Sequence, residues 1–126
     1  MEIKIKNQFL NSTLIQLDKL MVEKVSIGVK NRLTKAIRVI QPDAKAYGES
    51  HVELLKKHEG TENEDKSWSI KTTPIPEDYL TEFKELSELE NTYTLDQIDY
   101  KKIAEIETEF PYDFTDIKQL FENYED

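Results

Sequence analysis

Two histidines, a scatter of carboxylates and one basic helix flank are the groups in this chain whose types and spacing could do chemistry. His51 and His58 are seven residues apart, so on a helix they share one face at about 10 Å. Metal pairs on a helix use a spacing of four, as in H-E-x-x-H, and that motif is absent. Both fall on positions of an apolar seam, where a polar residue fixes register or oligomer state. They read as packing residues, with a pH-sensitive contact as the most informative form of that role. Glu62, Glu64 and Asp65 lack the alternation and glycine of a calcium loop. Asp96, Asp99, Glu105, Glu107 and Glu109 read as a solvated face, from which no acid/base pair can be singled out. Ser50 and His51 are neighbours in sequence and so do not face each other on a helix. Phosphate-cradling and nucleophile-elbow motifs are missing, and the chain has three glycines in all. The expectation is a protein that is not an enzyme and has no metal or cofactor.

Composition narrows the classes further. A chain of 126 residues is one domain, 1–126, with room for one modest core. Hydrophobic residues make up 37% and charged residues 34%, a balance that suits a helical, surface-rich protein. Without cysteine there are no disulfides and no thiolate chemistry. Met1-Glu-Ile-Lys-Ile-Lys6 lacks the apolar centre of a signal peptide. No run approaches the roughly 18 apolar residues of a membrane span. The expected place is the cytoplasm, with no membrane partner. The net charge of −9 divides unevenly, +4 over residues 1–60 and −13 over 61–126. Such a chain can fold its two halves together or pair head to tail as a homo-oligomer. Its acidity disfavours direct nucleic-acid binding, which needs Lys and Arg to displace counterions. A basic protein surface, including one that binds DNA, is a better match.

The element that positions the histidines is a long amphipathic helix over about 26–59. Leu33, Ile37, Ile40, Ala44, Tyr47, His51, Leu54 and His58 alternate spacings of four and three, forming one seam. Pro42 interrupts it in sequence, yet the apolar phase does not slip. The reading is therefore one kinked helix or two nearly collinear segments. Ser26 suits its N-cap, Val25 a hydrophobic staple and Gly60 its C-cap. Before it, Glu2–Lys6 alternates as a strand with Ile3 and Ile5 on one face. Asn11 or Ser12 suits the cap of a short helix carrying Leu14, Leu17, Leu20 and Met21. After it, Thr61–Lys66 reads as an exposed loop tip, and Ser67–Thr72 as a strand with Trp68 and Ile70 on one side. A helix over about 76–90, opened by Pro76, carries Tyr79, Leu80, Phe83, Leu86 and Leu89. It pairs antiparallel with the second half of the seam. The Leu33–Ile40 half needs the first helix and the C-terminal segment, or another chain. Thr92–Leu95 has strand composition, and Thr115 opens a last short helix with Ile117, Leu120, Phe121 and Tyr124. The fold class is α+β, mainly helical, with a small β-sheet.

Lys30, Lys35, Arg38, Lys45 and Lys56 form the basic flank, read as a solvated face balanced by the acidic half. Aromatics gather in the second half of the chain, and most belong to the core. Phe110-Pro-Tyr-Asp-Phe-Thr115 is the best adhesive patch, with aromatics beside acids. The candidate partner-binding residues are Glu105, Glu107, Glu109, Phe110, Tyr112, Asp113 and Phe114.

The chain also resembles a small phage protein family, a domain-of-unknown-function family from phages of Gram-positive bacteria. The matching residues are Ile3-Lys-Ile-Lys6 with Phe9-Leu-Asn11, Val29-x-x-Arg-Leu-x-Lys-x-Ile37 and Pro42-x-Ala-Lys-Ala-Tyr47. They continue with His51-Val-Glu-Leu-Leu-Lys-Lys-His-Glu-Gly60 and Phe83-Lys-Glu-Leu86. The resemblance implies a phage origin and a helix continuous through Pro42, and it brings no activity. Two expectations follow. One is a phage accessory protein that binds a host or defence protein through its acidic half, as an inhibitor with DNA-mimic character. The other is a virion or tail-assembly component that self-associates through the long helix.

Overall fold

The computed structural model describes residues 1–23, 25–71, 73–99, 101 and 118–122. In chain order the elements are β1 (Glu2–Lys6), α1 (Leu10–Met21), α2 (Ile27–Lys57), β2 (Thr61–Glu62), β3 (Trp68–Ser69), α3 (Glu77–Glu88), β4 (Glu90–Thr94), β5 (Ile98–Asp99) and β6 (Phe121–Glu122). Short 3-10 turns precede α1 and β6. The chain is mainly helical, with small two-stranded sheets around α2.

β1 alternates as its sequence demands, with Ile3 and Ile5 buried. It pairs antiparallel with β4, placing Ile3 opposite Tyr93 and Ile5 opposite Asn91. α1 starts at Leu10 rather than behind a cap at Asn11 or Ser12. The preceding 3-10 turn already occupies the first amide, because Leu10 N–H donates to the Asn7 carbonyl. The Ser12 and Thr13 hydroxyls instead donate back to the Phe9 carbonyl. That bond is what lets Thr13 be fully buried.

α2 is one helix of 31 residues that runs through Pro42, about 46 Å of chain. Pro42 leaves the Arg38 carbonyl without a helical donor. Both residues are exposed, so water can satisfy that carbonyl and the break costs little. Ser26 caps the N-terminus by accepting from Val29 N–H at 3.3 Å. At the C-terminus the cap is His58 rather than Gly60. Glu59 takes the left-handed position, with φ 62°, and its N–H reaches the Lys56 carbonyl. Gly60 N–H reaches the Leu55 carbonyl at 2.7 Å. This is the Schellman pattern with its glycine one residue late. Gly60 is needed for close approach instead, since a Cβ there would lie 2.7 Å from the Leu55 oxygen.

The seam is covered within the chain. Leu33, Ala36 and Ile40 share one core with Leu10, Leu17 and Leu20 of α1, Ile3 and Ile5 of β1, Tyr93, Ile98, Leu120 and Phe121. Burying each large side chain is worth about 1.5–3 kcal/mol. The second half of the seam meets α3 antiparallel: Tyr47 reaches Ser87, His51 reaches Phe83, and His58 reaches Tyr79.

Several expectations are corrected. Thr61 and Glu62 are not loop but pair with Trp68 and Ser69, and the strand ends there because its partner has only two residues. Pro76 stands at the N-cap of α3 rather than inside it. Leu80 and Leu89 are 49% and 59% exposed. Tyr79, Phe83 and Leu86 follow the i, i+4, i+7 row, which Leu80 leaves by one residue, and Leu89 lies past the helix end. Residues 118–122 form a 3-10 turn and β6, parallel to β5, instead of a helix. The β5 edge offers both pairing and a core site for Phe121; Thr115, Ile117 and Tyr124 of the expected helix lie outside the described residues.

Candidate functional site

The sequence brings both histidines to one face of α2, and the structure closes α3 over them. His51 Nε2 lies 2.9 Å from the Tyr79 hydroxyl. The His51 ring packs on Phe83 with centroids 4.5 Å apart, and His58 meets the edge of Tyr79 at 5.8 Å. His58 Nε2 is 3.5 Å from Glu82 Oε1, too far for a well-formed hydrogen bond. Glu82 is taken instead by Lys57, whose ammonium donates to both carboxylate oxygens at 2.7 and 3.0 Å. Tyr47 and Ser87 share a 2.8 Å hydrogen bond one turn further along.

Burial lowers the His51 pKa and raises that of Tyr79, to which Tyr47 adds a smaller rise. Both groups are therefore neutral at pH 7, with rings stacked on one another rather than lining a cleft. The arrangement packs one helix on another. Among the described residues no three His, Cys, Asp or Glu side chains converge on a metal position.

The loop acids have a structural use as well. Asp65 accepts from the Ser67 hydroxyl at 2.6 Å and its amide at 3.1 Å, which holds its carboxyl below the usual range. Asp99 accepts from the Lys101 amide. Of the basic flank, Lys56 alone has an ion pair among the described residues, to Glu53 on the same helix, with its ammonium over Trp68. Lys30 is half-buried, and Lys35, Arg38 and Lys45 are exposed.

The candidate partner-binding residues Glu105, Glu107, Glu109, Phe110, Tyr112, Asp113 and Phe114 lie outside the described residues. An acidic surface does appear where the sequence reading did not place one. α3 exposes Glu77, Asp78, Glu85 and Glu88, none of which has an ion pair among the described residues. With Glu82, Asp78 and Glu85 form a row of one carboxylate per helical turn. The signal was present as i, i+4, i+7 acids one residue ahead of the apolar row of α3, on its flank.

Two polar links between elements left no sequence pattern. Asn7, in the 3-10 turn after β1, donates to the carbonyls of Leu86 and Leu89 at the end of α3. It also accepts from Asn91 on β4. Tyr93 donates to Asp43 across the core.

Comparison with protein-family models, with curated proteins and with solved structures gives no match. No helix among the described residues is long and apolar enough to cross a membrane.

Proposed function

We propose that this is a non-enzymatic phage accessory protein that acts by binding another protein through its acidic surface, as a DNA-mimic-like inhibitor of a host or defence protein. The observation that carries this reading is the set of exposed carboxylates on α3, Asp78, Glu85 and Glu88, none with an ion pair among the described residues, on a helix docked along α2. Asp78 and Glu85 stand two helical turns apart, and repeated free carboxylates along a helix can stand in for phosphate charges along a DNA strand. The protein's net charge of −9 extends that field and favours encounter with a basic patch. The phage origin comes from the resemblance described above, and the host cytoplasm is the place where such a partner would be met. The alternative, a virion or tail-assembly component joined through the long helix, has less support because that helix's seam is already occupied within the chain.

The test is affinity capture from a Gram-positive host lysate, followed by elution with duplex DNA. The expected result is a basic protein that binds the wild type, is displaced by DNA and salt, and is lost with D78K/E85K/E88K. Capture that survives both the charge reversal and the DNA would sink the acidic-surface reading.

A further inference from the structure

The outer edge of α2 carries the complement of the α3 row. Arg38 and Lys45 are exposed there, and with Gln41 and Pro42 they face Asn11 and Leu14 of α1 across a shallow groove of about 720 Å³. No acidic residue lines this groove, and neither cation has an ion pair among the described residues. Pro42 also leaves the Arg38 carbonyl free of a helical donor at the same place. Asp78 and Glu85 on α3 are exposed and likewise unpaired among the described residues. Each pair is seven residues apart on a helix, so both spans are about 10.5 Å.

The two pairs cannot meet within one chain. α3 docks on the seam side of α2 through Tyr47, His51 and His58, whereas Arg38 and Lys45 lie on its outer side. We propose that the α1–α2 groove is the docking surface for a second copy of this chain, which lays Asp78 and Glu85 along Lys45 and Arg38. The inference rests on the reading of the α3 row as a contact surface. The donor and acceptor surfaces differ, so the contact is heterologous unless a two-fold arrangement repeats it. Exposed ion pairs are individually weak, so the association is weak and shows only at high protein concentration. The net charge of −9 on each copy opposes approach, but physiological salt screens that repulsion beyond about 8 Å. Contact pairs therefore decide the outcome.

Sedimentation velocity over a concentration series, at physiological ionic strength and in 1 M salt, reads the contact directly. The wild type is expected to gain mass with concentration and to lose that gain in 1 M salt. R38E/K45E and D78K/E85K are each expected to stay monomeric, as is the neutral pair R38Q/K45Q. An equimolar mixture of the two charge-reversed proteins should associate again, because it restores one intact groove facing one intact row. A wild type that is monomeric throughout, or an R38E/K45E protein that associates like wild type, overturns the proposal. Partner capture separates the two readings. R38E/K45E that still captures the basic host protein leaves the proposed function standing when self-association fails.

Discussion

The Tyr93 hydroxyl donates to the Asp43 carboxylate at 2.6 Å, tying β4 to the middle of α2 one residue after its proline. Tyr93 is buried, and burial together with Asp43 holds its hydroxyl far above the ordinary tyrosine range. The bond is charge-assisted, and such bonds contribute about 1.5–3 kcal/mol. Tyr93→Phe should therefore lower the unfolding free energy by about 1–2 kcal/mol, less than the full value because the half-buried Asp43 can rehydrate. Urea denaturation with an unchanged m-value is the measurement. A loss below about 0.3 kcal/mol would mean that the bond contributes nothing net.

Pro42→Ala restores the Arg38 carbonyl's helical bond at an exposed position. It should stabilise the protein by about 1–3 kcal/mol, since interior proline costs about 3 kcal/mol against alanine. Thermal unfolding would show a higher Tm. A lower Tm would show that proline is required at this position.

The end of α2 offers two opposite outcomes at adjacent residues. Glu59 holds a left-handed conformation that costs a side-chain-bearing residue about 1 kcal/mol. Glu59→Gly should gain about 0.5 kcal/mol after the entropic cost of glycine is counted. Gly60→Ala should lose about 1–3 kcal/mol, because its new methyl would press on the Leu55 carbonyl. Matched denaturant midpoints for the two variants check both signs, and equal signs would contradict the capping geometry.

His51 makes stability depend on pH. Burial lowers its pKa in the folded protein, so the unfolded chain binds the proton more readily. Its contribution is complete above the unfolded value of about 6.5 and is lost as pH falls through the folded one. The groups facing it are Tyr79 and Phe83 of α3, with no carboxylate bonded to the ring. Stability should fall between pH 7.5 and 5.5 in the wild type and fall less in His51→Gln. A steeper fall in the variant would reverse the assignment.

Periodic signals explain what the sequence made legible. Ile3 and Ile5 showed their strand through alternation, and the Leu33–His58 seam showed both the helix through Pro42 and its docking on Tyr79 and Phe83. What stayed hidden depended on partners distant in sequence. Asn7 belongs to no periodic pattern, and its acceptors Leu86 and Leu89 lie far along the chain, 79 residues away for the first. Leu120 and Phe121 fit a helical spacing until β5 supplies an edge. The acidic row on α3 is periodic too, on the flank of the apolar row.

α3 buries Ser87 alone among its residues, whereas α1 and α2 place side chains throughout the core. Its hold on the rest of the molecule is a set of ring contacts and hydrogen bonds along one edge. By that difference α3 is expected to open first, while the α1–α2–β1–β4 body stays folded. Its amides should exchange with solvent well ahead of those in the centre of α2. The acidic row then has an adjustable geometry, and a partner that grips it also clamps the helix.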